Sequence, residues 1–335
     1  MEDVDIGGDV LGDAGVAGGA DGGGDRRGAD AVGGADGDDA LTVATGAALT
    51  LEGDTIASSV NLVNSGTVSV VGTAASAING ALTNNSGATL QLLANSAFSG
   101  TTLTVADGAT FDQSGMLKLV SEPGNGFTGK LTVTTGTLTN AAGATIQVSG
   151  PSGNNSIIDA TMINQGTIDL QRPLNITSLA TNDGTINFSA NNPNLTLSSA
   201  ALTNNGTIAP LGGNTGTLSV SSFTNAVTTG LVDLSAGNLT VTGATQVNNG
   251  TITTGNGRTY SSSGNALANA GVVQGTGTVS VSSLNNTGIL SPGGTGALGT
   301  LTINGNLDNS ATGIVNIELA GTGASQYDQL AVTGN

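Results

Sequence analysis

Asn164-Gln165-Gly166-Thr167-Ile168-Asp169-Leu170 decides the fold. Asn and Gly both tolerate positive φ, so Asn-x-Gly reads as a tight corner. The four residues after it alternate with period two. Ile168 and Leu170 share one face and Thr167 and Asp169 the other, as a strand with one buried side requires. The unit returns as Asn64-Ser65-Gly66-Thr67-Val68, Asn182-Asp183-Gly184-Thr185-Ile186, Asn204-Asn205-Gly206-Thr207-Ile208 and Asn248-Asn249-Gly250-Thr251-Ile252. Looser copies are Asn269-Ala270-Gly271 and Asn286-Thr287-Gly288, with variants at Gly87, Gly108, Gly143 and Gly230. From Gly66 to Gly288 the mean step is about 22 residues, inside the range of repeat architectures.

The inward pair recurs as Val68/Val70, Ile186/Phe188, Val232/Leu234 and Val315/Ile317. The outward partner stays polar at Ser69, Asn187, Asp233, Thr253, Gln274 and Asn316. Where an Ala follows the corner glycine, as in Gly87-Ala88-Thr89-Leu90 and Gly143-Ala144-Thr145-Ile146, the inward residue moves along by one position. One corner and one strand per step suggest a coil of two or three short strands. Stacked coils form parallel sheets with aliphatic rows inside. The expected fold is all-β, a right-handed parallel β-helix of about 13 coils and roughly 60 Å at about 4.8 Å per coil. A β-sandwich array also has strands every 8–12 residues, but has no need of the same corner and the same face pattern each time. The longest step, Gly108 to Gly143, contains an inserted loop at residues 121–129, flanked by Lys118 and Lys130.

Composition supports a thin, stacked body. The 335 residues include 55 Gly and only 2% aromatics, with neither Trp, Cys nor His. Without His or Cys there is no Ser-His-Asp triad, Cys nucleophile, thiolate zinc site or HExxH helix. The net charge is −17 with six Lys and Arg in all, too few for a phosphate-tracking patch, so nucleic acid is not an expected partner. No run of about 18 apolar residues suggests a membrane-spanning helix. Of the 23 acids, 13 fall in residues 1–54, beside Arg26 and Arg27. Residues 1–40, nearly all Gly, Ala, Asp and Val, are expected to form a disordered acidic leader, and residues 41–335 the repeat domain. The opening Met1-Glu2-Asp3-Val4-Asp5 lacks the basic and apolar regions of a secretory signal.

The final segment carries a resemblance. Ser291-Pro292-Gly293, Gly299-Thr300-Leu301-Thr302-Ile303-Asn304-Gly305, the alternating Ile314-Val315-Asn316-Ile317-Glu318-Leu319 and Asp328-Gln329-Leu330-Ala331-Val332-Thr333-Gly334 follow in series. This order, over residues 284–335, resembles the C-terminal part of autotransporter passenger domains and other bacterial surface β-helix proteins. The resemblance implies export through the outer membrane to the cell surface or the medium. It also implies an adhesin-like stalk meeting host or bacterial surface molecules or glycans. No translocator barrel is expected within the chain, since 2% aromatics cannot furnish its girdles. The open C-terminal coil is a candidate for edge-to-edge self-association. Separately, Gly34-Ala35-Asp36-Gly37-Asp38-Asp39-Ala40-Leu41 resembles one degenerate copy of the calcium-binding nonapeptide repeat of RTX proteins. One copy without a stacked neighbour is read as a solvated acidic tail.

Several residues are candidates for a site, and each also has a plain structural role. Pectate-lyase-type β-helices converge carboxylates and basic residues on one face, for which Asp159, Asp169, Asp183 and Arg172 are the candidates. Asp169 and Asp233 hold equivalent outward positions about three coils apart, roughly 14 Å along the axis, too far to share an ion. Tyr260 and Tyr327 are the only phenols for sugar stacking. Thr-x-Thr pairs at Thr102/Thr104, Thr132/Thr134, Thr240/Thr242, Thr251/Thr253 and Thr300/Thr302 resemble ice-binding solenoid faces, but sit at differing distances from their corners. The resulting expectation is a non-enzymatic stalk with no catalytic, metal or cofactor site. The alternative is a polysaccharide-acting β-helix lyase or hydrolase.

Overall fold

The computed structural model describes residues 3–7, 10–11, 39–57, 60–94, 100–121, 128–151, 155–190, 192–197, 200–323 and 325–334. The chain forms two compact units, residues 1–178 and 179–335. Both are parallel β-helix, and no helix occurs among the described residues.

In the first unit one sheet is built from Ala48–Glu52, Thr67–Val70, Thr89–Ala94, Met116–Ser121, Thr145–Ser149 and Thr167–Leu170. Each strand pairs in parallel with the next coil's strand. The register stacks Leu49, Val68, Leu90, Leu117, Ile146 and Ile168 in one inward row. All six are buried, so the alternation read around Ile168 and Leu170 is the real inside and outside of the coil. Two further parallel ladders complete each turn, as in Asp39–Val43 on Val60–Asn64 and Thr55–Ile56 on Ser76–Ile78. The coil therefore has three sides. In Gly100–Phe111 and Thr128–Asn140 two of these sides run on as one strand, bent by a register shift between Asp107 and Ala109.

The second unit repeats the plan. Thr185–Phe188, Thr207–Pro210, Leu231–Leu234, Thr251–Thr254, Val272–Gly275 and Ile289–Pro292 stack Ile186, Ile208, Val232, Ile252, Val273 and Leu290 as a buried row. Val315 continues it below Leu290. Ile317, expected to point inward with Val315, is 42% exposed, and Leu319 is 76% exposed. No described coil covers them.

The corner differs from its sequence reading. The glycines of Asn-x-Gly, such as Gly166 and Gly250, are not at positive φ. They are required by crowding. A Cβ on Gly166 would lie 2.4 Å from the carbonyl oxygen of Ala144, and one on Gly250 would lie 2.2 Å from that of Gly230. Positive φ belongs to the inserted residue of the longer corners, as at Gly143 (φ 85°). Gly108, counted as a corner, lies inside a strand; Ser114-Gly115 holds the corner of that coil, where Met116 pairs with Thr89 and Thr145.

Of the expected disordered leader, Asp3–Gly7 and Val10–Leu11 are described as strands paired in parallel with Ala48–Glu52 and Thr55–Ile56. Residues 12–38, with most of the RTX-like octapeptide, lie outside the described residues, as do residues 122–127 of the inserted loop.

Candidate functional site

The corner asparagine ends its strand rather than starting a turn, and its side chain points into the coil. Asn64, Asn84, Asn140 and Asn164 in the first unit are fully buried, as are Asn182, Asn204, Asn225, Asn248 and Asn286 in the second. They form a ladder. In the second unit Nδ2 of Asn182 donates to Oδ1 of Asn204 at 2.8 Å, and Asn204 to Asn225 at 2.9 Å. Asn225 donates to Asn248 at 2.8 Å, Asn248 to Asn269 at 2.7 Å, and Asn269 to Asn286 at 2.7 Å. Asn286 ends the run on Asn309 at 2.7 Å. Each amide has a second duty. The other Nδ2 hydrogen of Asn225 serves the carbonyls of Gly230 and Thr251, both at 3.0 Å. The amide thus ties the corner's backbone to the coil beyond.

The first unit has two shorter runs, Asn64 to Asn84 at 2.7 Å and Asn140 to Asn164 at 2.8 Å. Between them the rung position is Phe111, in register with Asn84 and Asn140. The break has a visible consequence. Oδ1 of Asn140, which a rung above would serve, has no hydrogen-bond partner. Oδ1 of Asn64, at the head of its run, instead accepts from the backbone N–H of Gly66 at 3.0 Å.

The charged candidates do not converge. Asp159 accepts from Lys130 Nζ at 3.0 Å and from Thr177 Oγ1 at 2.9 Å. The Lys130 bond, helped by that of Thr177, holds its carboxyl below the usual carboxylate range. Lys118, the other cation near the inserted loop, stands on a different sheet between Gln91 and Gln147. Asp169 accepts from Gln147 and Gln171, each at 3.2 Å. Arg172 Nε donates to the carbonyl of Gly150. Asp183 accepts from Asn205 at 2.7 Å, and Asp233 caps its own turn by accepting from Ser235 N–H at 2.9 Å. Asp169 and Asp233 belong to different units. Among the described residues no three or more acids gather where they would hold a metal ion.

Tyr260 is an interior residue. It is fully buried, and its hydroxyl donates to Gln246 Oε1 at 2.7 Å, while Gln246 Nε2 donates to the carbonyls of Val241, Gly243 and Ser262. Burial pushes the phenol's pKa far up. Tyr260 therefore offers no ring to a sugar. Tyr327 is half-buried.

The Thr-x-Thr pairs distribute over different sheets. Thr102/Thr104 stack on Lys130/Thr132, and Thr251/Thr253 lie on the sheet that carries Asp233. Thr240, however, belongs to an outward row that spacing from the corner does not reveal, in which Thr217 and Thr240 are followed by Ser261, Ser280 and Asn304.

No protein-family model, curated protein or solved structure matches the chain. No described helix is long and apolar enough to cross a membrane.

Proposed function

We propose that the chain is the non-catalytic β-helix of an exported bacterial protein, akin to an autotransporter passenger, and that it works by presenting surface at or beyond the outer membrane. One observation carries this reading. The interior is filled by aliphatic rows and amide rungs, and the described candidate carboxylates Asp159, Asp169 and Asp183 are taken up by different neighbours rather than brought together. Asp159 is held by Lys130 and Thr177, Asp169 by two glutamines, and Asp183 by Asn205. Lyase or hydrolase chemistry asks for two or more such groups aimed at one reacting bond. A stalk asks only for a stiff repeat with a long outer surface, and surface glycans or proteins of host or bacterial cells are the partners it would meet.

The deciding experiment is a turnover screen of the purified chain against acidic and neutral polysaccharides. The reading expects no turnover. Depolymerisation that Asp169→Ala abolishes would establish the enzyme alternative instead. Antibody labelling of intact cells tests the location, with surface signal expected.

A further inference from the structure

The second unit carries one outward sheet face without a charged residue in its two central columns. Its strands are Thr215–Ser219, Asn238–Val241, Thr259–Ser261, Thr278–Asn286 and Thr300–Asn309. Strand register places Thr215 beside Asn238, and Thr259 beside Thr278 and then Thr302. Two residues further along each strand, Thr217, Thr240, Ser261, Ser280 and Asn304 form a second, continuous column. The result is a five-coil lattice of hydroxyls and amides. Its repeats are about 4.8 Å between coils and about 6.7 Å between alternate residues of a strand.

The lattice is held in place from both directions. Between the two columns Leu239, Tyr260, Val279 and Ile303 form one inward, fully buried row. Within it Asn238 Nδ2 donates to Thr215 Oγ1 at 3.3 Å, while Asn238 Oδ1 accepts from the backbone N–H of Thr259 at 2.9 Å. Asn304 Nδ2 donates to Ser280 Oγ at 3.3 Å. These bonds reduce the rotamer freedom that a binding surface would otherwise lose on contact.

We infer that this face binds the surface of an ice crystal. Three features select that partner. Neutral columns give no attraction to a charged polymer; the corresponding sheet of the first unit, by contrast, carries the Lys130–Asp159 pair. Aromatic rings, which sugar stacking uses, are absent from both columns, and Tyr260 lies beneath them. What remains is a two-dimensional array of hydroxyls and amides. Its two repeats are close to the oxygen repeats on a prism face of ordinary ice. Ordered water on such an array can join the crystal without rearranging. The inference rests on the chain being a presenting surface, and names what this part of the surface presents to.

The test follows ice-crystal shaping and recrystallisation in the presence of the full chain, with circular dichroism to confirm folding. The wild-type chain is expected to facet crystals and slow their coarsening. Thr240→Tyr, which places a ring on the lattice and leaves the buried row alone, should weaken this about tenfold, the equivalent of roughly one lost hydrogen-bonded contact. Thr217→Lys is the second probe, should the tyrosine variant not fold. Thr50→Tyr, outward on a sheet of the first unit, should leave the effect intact. Wild-type samples whose crystals stay rounded and coarsen as in buffer would overturn the proposal, as would equal losses in Thr240→Tyr and Thr50→Tyr. Sedimentation with powdered cellulose or chitin that Thr240→Tyr abolishes would overturn it in favour of a polysaccharide. Failure on ice with no glycan turnover leaves the presenting role standing, whereas turnover abolished by Asp169→Ala removes that role itself.

Discussion

Asn225→Leu removes the middle of the long ladder while keeping the number and branching of the side-chain heavy atoms. In the native chain Asn225 is fully buried, accepts from Asn204 and donates to Asn248, Gly230 and Thr251. Leucine cancels all four bonds. Asn204 retains the carbonyls of Gly206 and Leu231, each at 3.1 Å, so its loss is about one net hydrogen bond, roughly 1 kcal/mol. Oδ1 of Asn248 keeps no donor, and an orphaned buried acceptor costs about 1–3 kcal/mol. The Gly230 carbonyl is still served by Thr251 N–H. Together these give a destabilisation of about 3 kcal/mol, reduced by whatever leucine regains in apolar contact. Because contacts in a solenoid run between neighbouring coils, the damage should centre on the adjoining strands. Hydrogen exchange should quicken first in Leu231–Leu234 and Thr251–Thr254.

Asn225→Asp separates hydrogen bonding from size. A carboxylate there would face the oxygens of Asn248, Gly230 and Thr251, so the folded chain must keep the group protonated. Its folded pKa then lies above the unfolded value of about 3.9, and stability is lost as pH rises from there toward the folded pKa. Urea unfolding at pH 4 and pH 7 reads both effects. The rung account would be refuted by Asn225→Leu lying within about 0.5 kcal/mol of wild type, the range of ordinary surface changes. A penalty for Asn225→Asp that is equal at the two pH values would refute it as well.

The other predictions use the same assays. Phe111→Asn should be more stable than Phe111→Ala by about 2 kcal/mol, since the new amide can bridge Asn84 to Asn140 and serve the unpartnered Asn140 oxygen; an ordinary apolar site would rank the two variants the other way. Gly250→Ala should cost about 1–3 kcal/mol through overpacking against the Gly230 carbonyl, measured by urea midpoint. A neutral result would remove the close-approach explanation of the repeat glycine. Lys130→Ala should raise the pKa of Asp159, followed by carboxyl-carbon NMR. The pair's contribution is present above the unfolded pKa of Asp159 and lost as pH falls through its depressed folded value. Both partners are more than a third exposed, so that contribution stays below about 1 kcal/mol.

Strand positions were legible in the sequence because period-two alternation is a direct image of inside and outside. Ile168, Leu170, Val68 and Val70 are all buried as their spacing required. The position of the corner is legible in the sequence, but its cause is not. Asn and Gly are the usual residues of positive φ, so local turn chemistry accounted for both without any neighbouring coil. Their actual causes lie in the next turn of the helix, about 22 residues away: an amide partner for the Asn and a carbonyl oxygen against the Gly. One sequence signal did separate the readings. Asn holds the first corner position even where the glycine moves, as in Asn225-Ala226-Val227-Thr228-Thr229-Gly230. A residue kept while the turn around it lengthens is serving something other than the turn. The polar lattice of the second unit was hidden for a related reason. Counting from the corner misaligns coils of unequal corner length, and only the pairing of Thr240 with Ser261, and of Ser261 with Ser280, shows the row.

The most direct test of the account is exchange of the asparagine side-chain amides, read by 15N NMR with single-site substitutions for assignment. Buried rungs hydrogen-bonded on both Nδ2 hydrogens should keep the NH2 signals of Asn204, Asn225 and Asn248 for hours in heavy water, together with the strand backbone. If those signals vanish as quickly as those of exposed Asn285 while the backbone remains protected, there is no amide ladder inside the coil.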